Sequence, residues 1–292
     1  VETGLEGRFL MNVGSYKGKV VEGIVRGHWD DWSRPFPFDG NVDVKTGRED
    51  WESEDRGFTV VELGGYVGYS TILIAAALCE RFGVPFGHKS ADSTPSTRSV
   101  VPHLYTIELN PQFAQNVRDV VKFAGLSHVV TVVTARGDEG LKLLASGEWI
   151  RHCGSDNDSS EPEPINRIDI LFIDHYKPAY TSDLKVAESL GLIQAPEKGR
   201  KGSILVADNV IVPGNPEYLA YVRRWGAPKG EDARAAESIS TDAAPGQKPV
   251  YVSQQVISWE PTGERDGVEV SWCVGRAVPG VEANEDGAVK LS

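Results

Sequence analysis

The stretch Ile168–Pro178, IDILFIDHYKP, leaves an apolar run on four chemically able side chains in succession: Asp174, His175, Tyr176 and Lys177. A second stretch, SILVADNV, ends its own apolar run on Asp208 and Asn209. If both runs are neighbouring parallel strands, Asp174, Asp208 and Asn209 emerge side by side at their carboxyl ends, where open α/β sheets bind ligands. Two carboxylates and one amide are hard oxygen donors suited to Mg²⁺, with octahedral positions left for water or substrate oxygens. Without a cation, two apposed carboxylates repel and one tends to keep its proton. Lys177 follows Asp174 closely enough to reach a hydroxyl held there. An ammonium beside a divalent charge loses proton affinity, and the neutral amine then serves as general base. The alternative for Lys177 is a surface lysine paired with an acid. A hard oxygen site does not need His175, whose expected role is orientation beside a cofactor, by stacking or hydrogen bonding.

A third group lies in VVELGGYVGYS, where Gly64, Gly65 and Gly68 follow an apolar strand and precede the Ala-rich helix STILIAAALCERFG. Such a turn lets a ligand approach the backbone and meet the partly positive end of a helix. Glycines kept only for a tight turn and close helix packing are the alternative. The spacing G-G-x-x-G lacks the second glycine of G-x-G-x-x-G, and Tyr66 and Tyr69 crowd the place of a pyrophosphate, which disfavours a nicotinamide cofactor. Glu108, at the end of LYTIEL, can accept both hydroxyls of a ribose from a strand tip. The breaker-rich stretch from Gly83 to Val100 accounts for its long separation from the glycines, and a solvated Glu at a helix entrance is the other reading.

The elements that must position these residues are legible as alternation. FTVVEL, LYTIEL, VVTVV, IDILFID and SILVAD read as strands separated by helical patterns, which implies a parallel sheet covered by helices. Asn110 as N-cap, Pro111 at the first helical position and Gly125 past the end bound a helix with Phe113, Val117, Val120, Val121 and Ala124 on one stripe. Val20, Val21, Ile24 and Val25 place a further helix ahead of the first strand. YVSQQVISWE and GVEVSWCVG read as an antiparallel hairpin closing the sheet edge. Insertions near 31–57, 83–101, 151–166 and 226–249 are polar and rich in breakers, and the final GVEANEDGAVKLS reads as a loosely held tail. One domain is expected to span 1–292.

Composition narrows the classes. The 292 residues carry 30 Lys and Arg against 42 Asp and Glu, a net charge of −12 that repels a phosphate backbone and points to a small-molecule partner rather than nucleic acid. The longest apolar run, ILIAAALC, is too short to span a bilayer, so no membrane partner is expected. Cys79, Cys153 and Cys273 form no C-x-x-C pair and suit no closed disulfide framework, which makes a reducing, cytoplasmic setting the default. The chain starts VETGLEGRF without an initiator Met, consistent with trimming. Oligomeric state leaves no signal.

The segments MNVGSYKGKVV, VVELGGYVGYS, TIELNP, KFAGLSHVVTVV, ILFIDHYKPAY and LVADNVIVPGNPEYLAYVR, in this order between Phe9 and about Arg276, resemble the catechol O-methyltransferases, which transfer a methyl group from S-adenosylmethionine. The resemblance implies an α/β, Rossmann-like class I methyltransferase fold: a seven-stranded, mostly parallel sheet with a C-terminal antiparallel hairpin and helices on both faces. The family's N-terminal helical leader is expected to be largely missing, because Met11 stands so near the start. Carried over position by position, it implies that Met11, Asn12 and Val13 line the cofactor and that Gly64, Tyr66 and Ser70 hold its methionine end. Glu108 holds the ribose, and Glu62, Leu109, Asp174 and His175 belong to the same cofactor set. Gly137 and Asp138 stand where the family often places Ser and Gln near the adenine, and Tyr176 replaces a Trp beside it. Asp174, Asp208 and Asn209 match the Mg²⁺ ligands and Lys177 the general base. Glu260 takes the position of the acceptor for the second catechol hydroxyl; a rim carboxylate on a loop is its alternative. With Asn209 also facing substrate, Phe9, Trp259 and Pro213 form an apolar gate, Phe9 replacing a Trp. The implied function is methyl transfer to one hydroxyl of a Mg²⁺-chelated catechol. A methyltransferase for another vicinal-hydroxyl phenol, caffeoyl- or flavonoid-type, and a non-catalytic cofactor-binding or scaffold protein are the alternatives, with a nicotinamide dehydrogenase a distant third.

Overall fold

A computed structural model describes residues 13–29, 57–86, 102–149, 163–197, 200–224, 239–240, 247–277, 281–283 and 289–291. Phe9, Met11 and Asn12, and most of the four insertions, lie outside the described residues. Helix α1 (Gly14–Val25) leads into a βα succession: β1 (Phe58–Leu63), α2 (Tyr69–Phe82), β2 (Pro102–Glu108), α3 (Pro111–Phe123), β3 (Val130–Thr134), α4 (Gly137–Ser146), β4 (Ile170–Ile173), α5 (Tyr180–Ser189), β5 (Ile204–Ala207) and α6 (Pro216–Arg223). A two-residue strand β6 (Ile239–Ser240) precedes the long hairpin β7 (Pro249–Trp259) and β8 (Arg265–Ala277).

β4 and β5 read as unbroken apolar runs because every residue in them is buried, as strands covered on both faces require. The strand order is β3-β2-β1-β4-β5-β8, with β7 and the short β6 both paired to β8. β1 to β5 are parallel, and β8 runs antiparallel to β5 and to β7. The seven expected strands are therefore present, in the Rossmann-like class I methyltransferase arrangement, and β6 adds a fragment.

Alternation along the strands divides the core in two. Val60, Leu104, Val132, Phe172 and Val206 pack with α1, α2 and α3 on one face. Val61, Ile107, Val133, Leu171 and Leu205 pack with α4, α5 and α6 on the other. α1 lies against α2 and the hairpin, and Trp272 Nε1 on β8 donates to Trp29 O just past α1 at 2.9 Å.

The expected cap of α3 is present: Asn110 Oδ1 accepts from Gln112 N at 2.9 Å, with Pro111 opening the helix. The expected apolar stripe is shifted. Ala114, Val117 and Val121 are buried, whereas Val120 is exposed, because the helix turns its Ala114 side toward the sheet. The tail also differs from expectation: Val281–Ala283 (β9) pairs antiparallel with Val289–Leu291 (β10), so backbone pairing replaces a loose end. No helix among the described residues is long and apolar enough to cross a membrane.

Candidate active site

Strand register builds the site. Leu63 pairs with Ile107 on one side and with Ile173 on the other, and Ile173 pairs with Ala207. The next residue on each strand falls in one row along the carboxyl edge: Glu108, Gly64, Asp174 and Asp208. Backbone bonds lock the row, with Gly64 N donating to Ile107 O at 2.9 Å, Asp174 N to Leu63 O at 2.9 Å and Asp208 N to Ile173 O at 3.0 Å. A cavity of about 1100 Å³ opens over it, lined by all four residues and by Asn209 and Lys177.

At the Asp208 end the three expected metal ligands come together. Asp174 Oδ1 accepts from Lys177 Nζ at 2.8 Å. Asp208 Oδ1 accepts from Asn209 N at 2.7 Å and pairs with Lys17 Nζ at 2.8 Å. Asn209, held at a φ of 56° that side chains rarely adopt, donates through Nδ2 to Glu260 Oε1 at 2.6 Å and Asp266 Oδ2 at 2.9 Å. Each of these three residues thus has one side-chain oxygen outside the bonds just given: Oδ2 of Asp174, Oδ2 of Asp208 and Oδ1 of Asn209. Burial pushes both carboxyls up, Asp208 to about 7, with Asp174 adding to the rise and Lys17 opposing it. Apposed carboxylates, Asp208 buried and Asp174 partly buried, with an amide oxygen beside them fit a hard divalent cation. Among the described residues no group of three His, Cys, Asp or Glu side chains is placed to hold a metal; the third donor here is an amide.

Lys177 stands beside this corner on a short turn after β4. Its Nζ also donates to Tyr180 OH at 2.7 Å, and Asn215 Nδ2 fixes its carbonyl at 2.6 Å. Tyr180, fully buried, donates onward to Asp208 O at 3.2 Å and stacks on His175 with ring centroids 5.1 Å apart. Burial, reinforced by Asp174 and Asp208, pushes its phenol far above the usual range, so Tyr180 stays protonated.

Residues 61–210 match the family model described as "Methyltransferase domain". The chain is 31% identical over 216 residues to the catechol O-methyltransferase of Sus scrofa, covering 74% of this chain and 80% of that protein. The chain belongs to the catechol O-methyltransferase-like family of methyltransferases. It is also 33% identical over 215 residues to catechol O-methyltransferase B of Danio rerio, and it spans only 56% of that relative and 57% of the catechol O-methyltransferase of Mus musculus. Among solved structures, an O-methyltransferase of Streptomyces achromogenes involved in tomaymycin synthesis, in complex with SAM, is 19% identical with a TM-score of 0.47, covering 91% of this chain and 84% of that one.

For a member of the catechol O-methyltransferase-like family, the remaining expected positions separate into cavity and scaffold. Val13, Gly64, Tyr66, Ser70, Leu109, Gly137, Asp138, His175 and Tyr176 all line the cavity. Glu108 is fixed by two backbone donors, Tyr66 N on Oε2 and Asn110 N on Oε1, each at 2.8 Å. Leu109 and Tyr176 are 65% and 74% exposed while lining the cavity, two apolar surfaces left open to a planar group. Asp138 is held by Arg136 at 2.8 Å and Lys142 at 3.1 Å. At Gly137 a side chain would meet Asp183, whose Oδ2 lies 2.8 Å from His175 Nε2. Glu62 is wholly buried, accepts from Thr71 Oγ1 at 2.5 Å and is absent from the cavity wall. It braces the first turn of α2 from beneath, and burial raises its carboxyl. Gly64 lines the cavity, and a Cβ there would run into the main chain of Asp174, so close backbone approach between β1 and β4 calls for glycine at this position.

Pro213 and Val212 lie on the cavity wall beside Glu260, whereas Trp259 does not. Trp259 ends β7, 46% exposed and edge-on to Tyr16 at 5.9 Å, while Glu260, the first residue of the turn that follows, lines the cavity. Sequence reading missed Lys17 and Asp266. Lys17 is a lone lysine on the stripe of Val13, Val21 and Ile24, and Asp266 a lone acid on the alternating face of Val268, Val270 and Trp272. Those matched anomalies were the available signal. Burial presses the Lys17 ammonium to lose its proton, but Asp208, Asp266 and Glu260 outweigh it and hold it charged. Asp266 is lowered to about 2, because Lys17 and the Val212 amide overcome burial. Burial raises Glu260, with Lys17 opposing.

Proposed function

We propose that the protein is an S-adenosylmethionine- and Mg²⁺-dependent O-methyltransferase acting on catechols. The observation that carries this reading is the corner where Asp174, Asp208 and Asn209 line one cavity with Lys177, each with one side-chain oxygen outside the hydrogen bonds described above. The opposite end supports a nucleoside-bearing cofactor: Glu108 faces the cavity with both oxygens fixed, Leu109 and Tyr176 offer apolar faces, and α2 begins at Gly68 without a side-chain cap, leaving amide donors for a carboxylate.

Gly64, Tyr66 and Ser70 would hold the methionine end of the cofactor, Glu108 the ribose, and Asp174, Asp208 and Asn209 the cation. When bound, the sulfonium supplies the methyl group and the cation stabilises negative charge on the phenol oxygens. Lys177 receives the proton of the reacting hydroxyl at Nζ, where Asp174 and Tyr180 already orient it. Glu260 accepts the second hydroxyl and so fixes which oxygen faces the donor. Val212 and Pro213 wall the ring and exclude water. Alignment is the larger contribution: fixing two reactants can lower a barrier by roughly 7–11 kcal/mol, against roughly 10²–10⁴-fold for general-base assistance.

Incubating the protein with labelled S-adenosylmethionine, Mg²⁺ and a panel of catechols, caffeoyl esters and flavonoids tests the reading. The expected result is a mono-methylated catechol, lost on adding chelator and restored by Mg²⁺. Transfer that survives chelation would discard the metal assignment, and transfer only to larger phenols would move the substrate class.

A further inference from the structure

Lys17 has no exposed side-chain surface, and its single ammonium faces three carboxylates: Asp208 Oδ1 at 2.8 Å, Asp266 Oδ2 at 2.6 Å and Glu260 Oε1. The position lies on an apolar stripe, where a hydrophobic residue would pack without the cost of desolvating a charge. Buried ion pairs are often replaceable by apolar residues with no loss of stability, so stability alone gives a weak reason for a lysine here. The distribution of bonds gives a better one. Asp208 uses Oδ1 on Lys17 and the Asn209 amide, which leaves Oδ2 as its available oxygen. Asp266 uses Oδ2 on Lys17 and Asn209 Nδ2, and Oδ1 on the amides of Ile211 at 3.0 Å and Val212 at 2.9 Å. Glu260 shares Oε1 between Lys17 and Asn209 Nδ2. One cation therefore fixes one proposed ligand directly, a second through its amide, and the acceptor for the second hydroxyl.

Building on the Mg²⁺ reading above, we infer that Lys17 is a positioning residue: a fixed internal cation that reserves Asp208 Oδ2 for a metal and holds Glu260 and Asp266 beside it against their mutual repulsion. Two consequences of removing it have opposite signs. As a nearby positive charge, Lys17 disfavours a second cation, so its loss should tighten divalent binding by Coulomb's law. As a positioning group, its loss lets Asp208, Asn209 and Glu260 move apart, so binding should weaken. Groups that orient metal ligands typically change affinity by about 10–100-fold when removed.

The test uses Mn²⁺ alone as probe, titrated into the full chain by calorimetry, with S-adenosylhomocysteine binding measured in the same samples. Lys17→Met is expected to weaken Mn²⁺ binding by about 10–100-fold and to leave S-adenosylhomocysteine affinity unchanged, a split that general loss of structure would not produce. Lys17→Met with Asp266→Asn removes one acid along with the cation; it serves if the single variant does not fold, and the same weakening is expected. Mn²⁺ bound as tightly as in the parent, or more tightly, by either folded variant overturns the positioning role while leaving the metal reading intact. A parent protein that takes up no Mn²⁺ overturns both.

Discussion

Gly64 lies so close to the main chain of Asp174 that any Cβ on it would run into the Asp174 carbonyl oxygen. Its φ of 98° is also one that side chains rarely adopt. The glycine loop and the acidic corner are thus one packed unit. Gly64→Ala should cost about 2–4 kcal/mol of stability from backbone strain and overpacking. Because the displaced chain carries Asp174, the variant should lose divalent-cation binding together with cofactor binding. Thermal unfolding and paired calorimetric titrations check this, and normal Mn²⁺ uptake by the variant would count against it.

Lys177→Met removes the amine but keeps much of the stem's volume. Turnover should fall by roughly 10²–10⁴-fold while S-adenosylhomocysteine affinity is retained. Single-turnover kinetics with saturating cofactor separates the two, and unchanged turnover would dismiss Lys177 as the base.

Tyr180→Phe keeps the ring that stacks on His175 and deletes the hydroxyl between Lys177 Nζ and Asp208 O. The lost hydrogen bonds should destabilise the protein by about 1–2 kcal/mol. Turnover should drop more than affinity for substrate, since Lys177 loses one of its two orienting contacts. Equal loss in kcat and in stability-corrected binding would argue for a purely structural hydroxyl.

His103, bonded to Thr131 Oγ1 at 2.8 Å, is pushed down to about 4 by burial, with a smaller contribution from His128. An unfolded histidine titrates near 6.5. Between those values the unfolded chain binds a proton that the folded one refuses. The contribution is therefore complete above about 6.5 and is lost as pH falls toward 4, by up to about 3 kcal/mol. Thermal midpoints at pH 7 and 4.5 should converge for His103→Gln relative to the parent.

Burial raises the thiol of Cys79 to about 11 and that of Cys273 to about 12. The thiolate is the reactive form, so neither should be alkylated at pH 8 in the native protein, and both should be after denaturation. Peptide mapping after iodoacetamide treatment reads the result directly.

The parallel frame and the acidic corner were legible in the sequence because each follows from local pattern. Apolar runs ending on Asp174 and Asp208 announce covered strands with polar tips, and Asn110 with Pro111 announces a helix start. Lys17 and Asp266 were not legible as partners, since 249 residues separate them and each alone is only a polar interruption of an apolar pattern. Trp259 shows a subtler limit: the resemblance put it in an apolar gate with Pro213, while in the structure it is exposed at the end of β7 and off the cavity wall. Val120 shows that a stripe read from spacing leaves helix rotation undetermined by a step.

The bond between Lys17 and Asp266 joins the opening helix to the final long strand. A nascent chain in which α1 through β5 has left the ribosome still has Lys17 facing an incomplete set of acids. The Lys17–Asp266 bond closes only after β8 is synthesised and paired with β5. The proposed site is thereby completed from both ends of the described chain, and a polypeptide ending before β8 would carry Lys17 without Asp266.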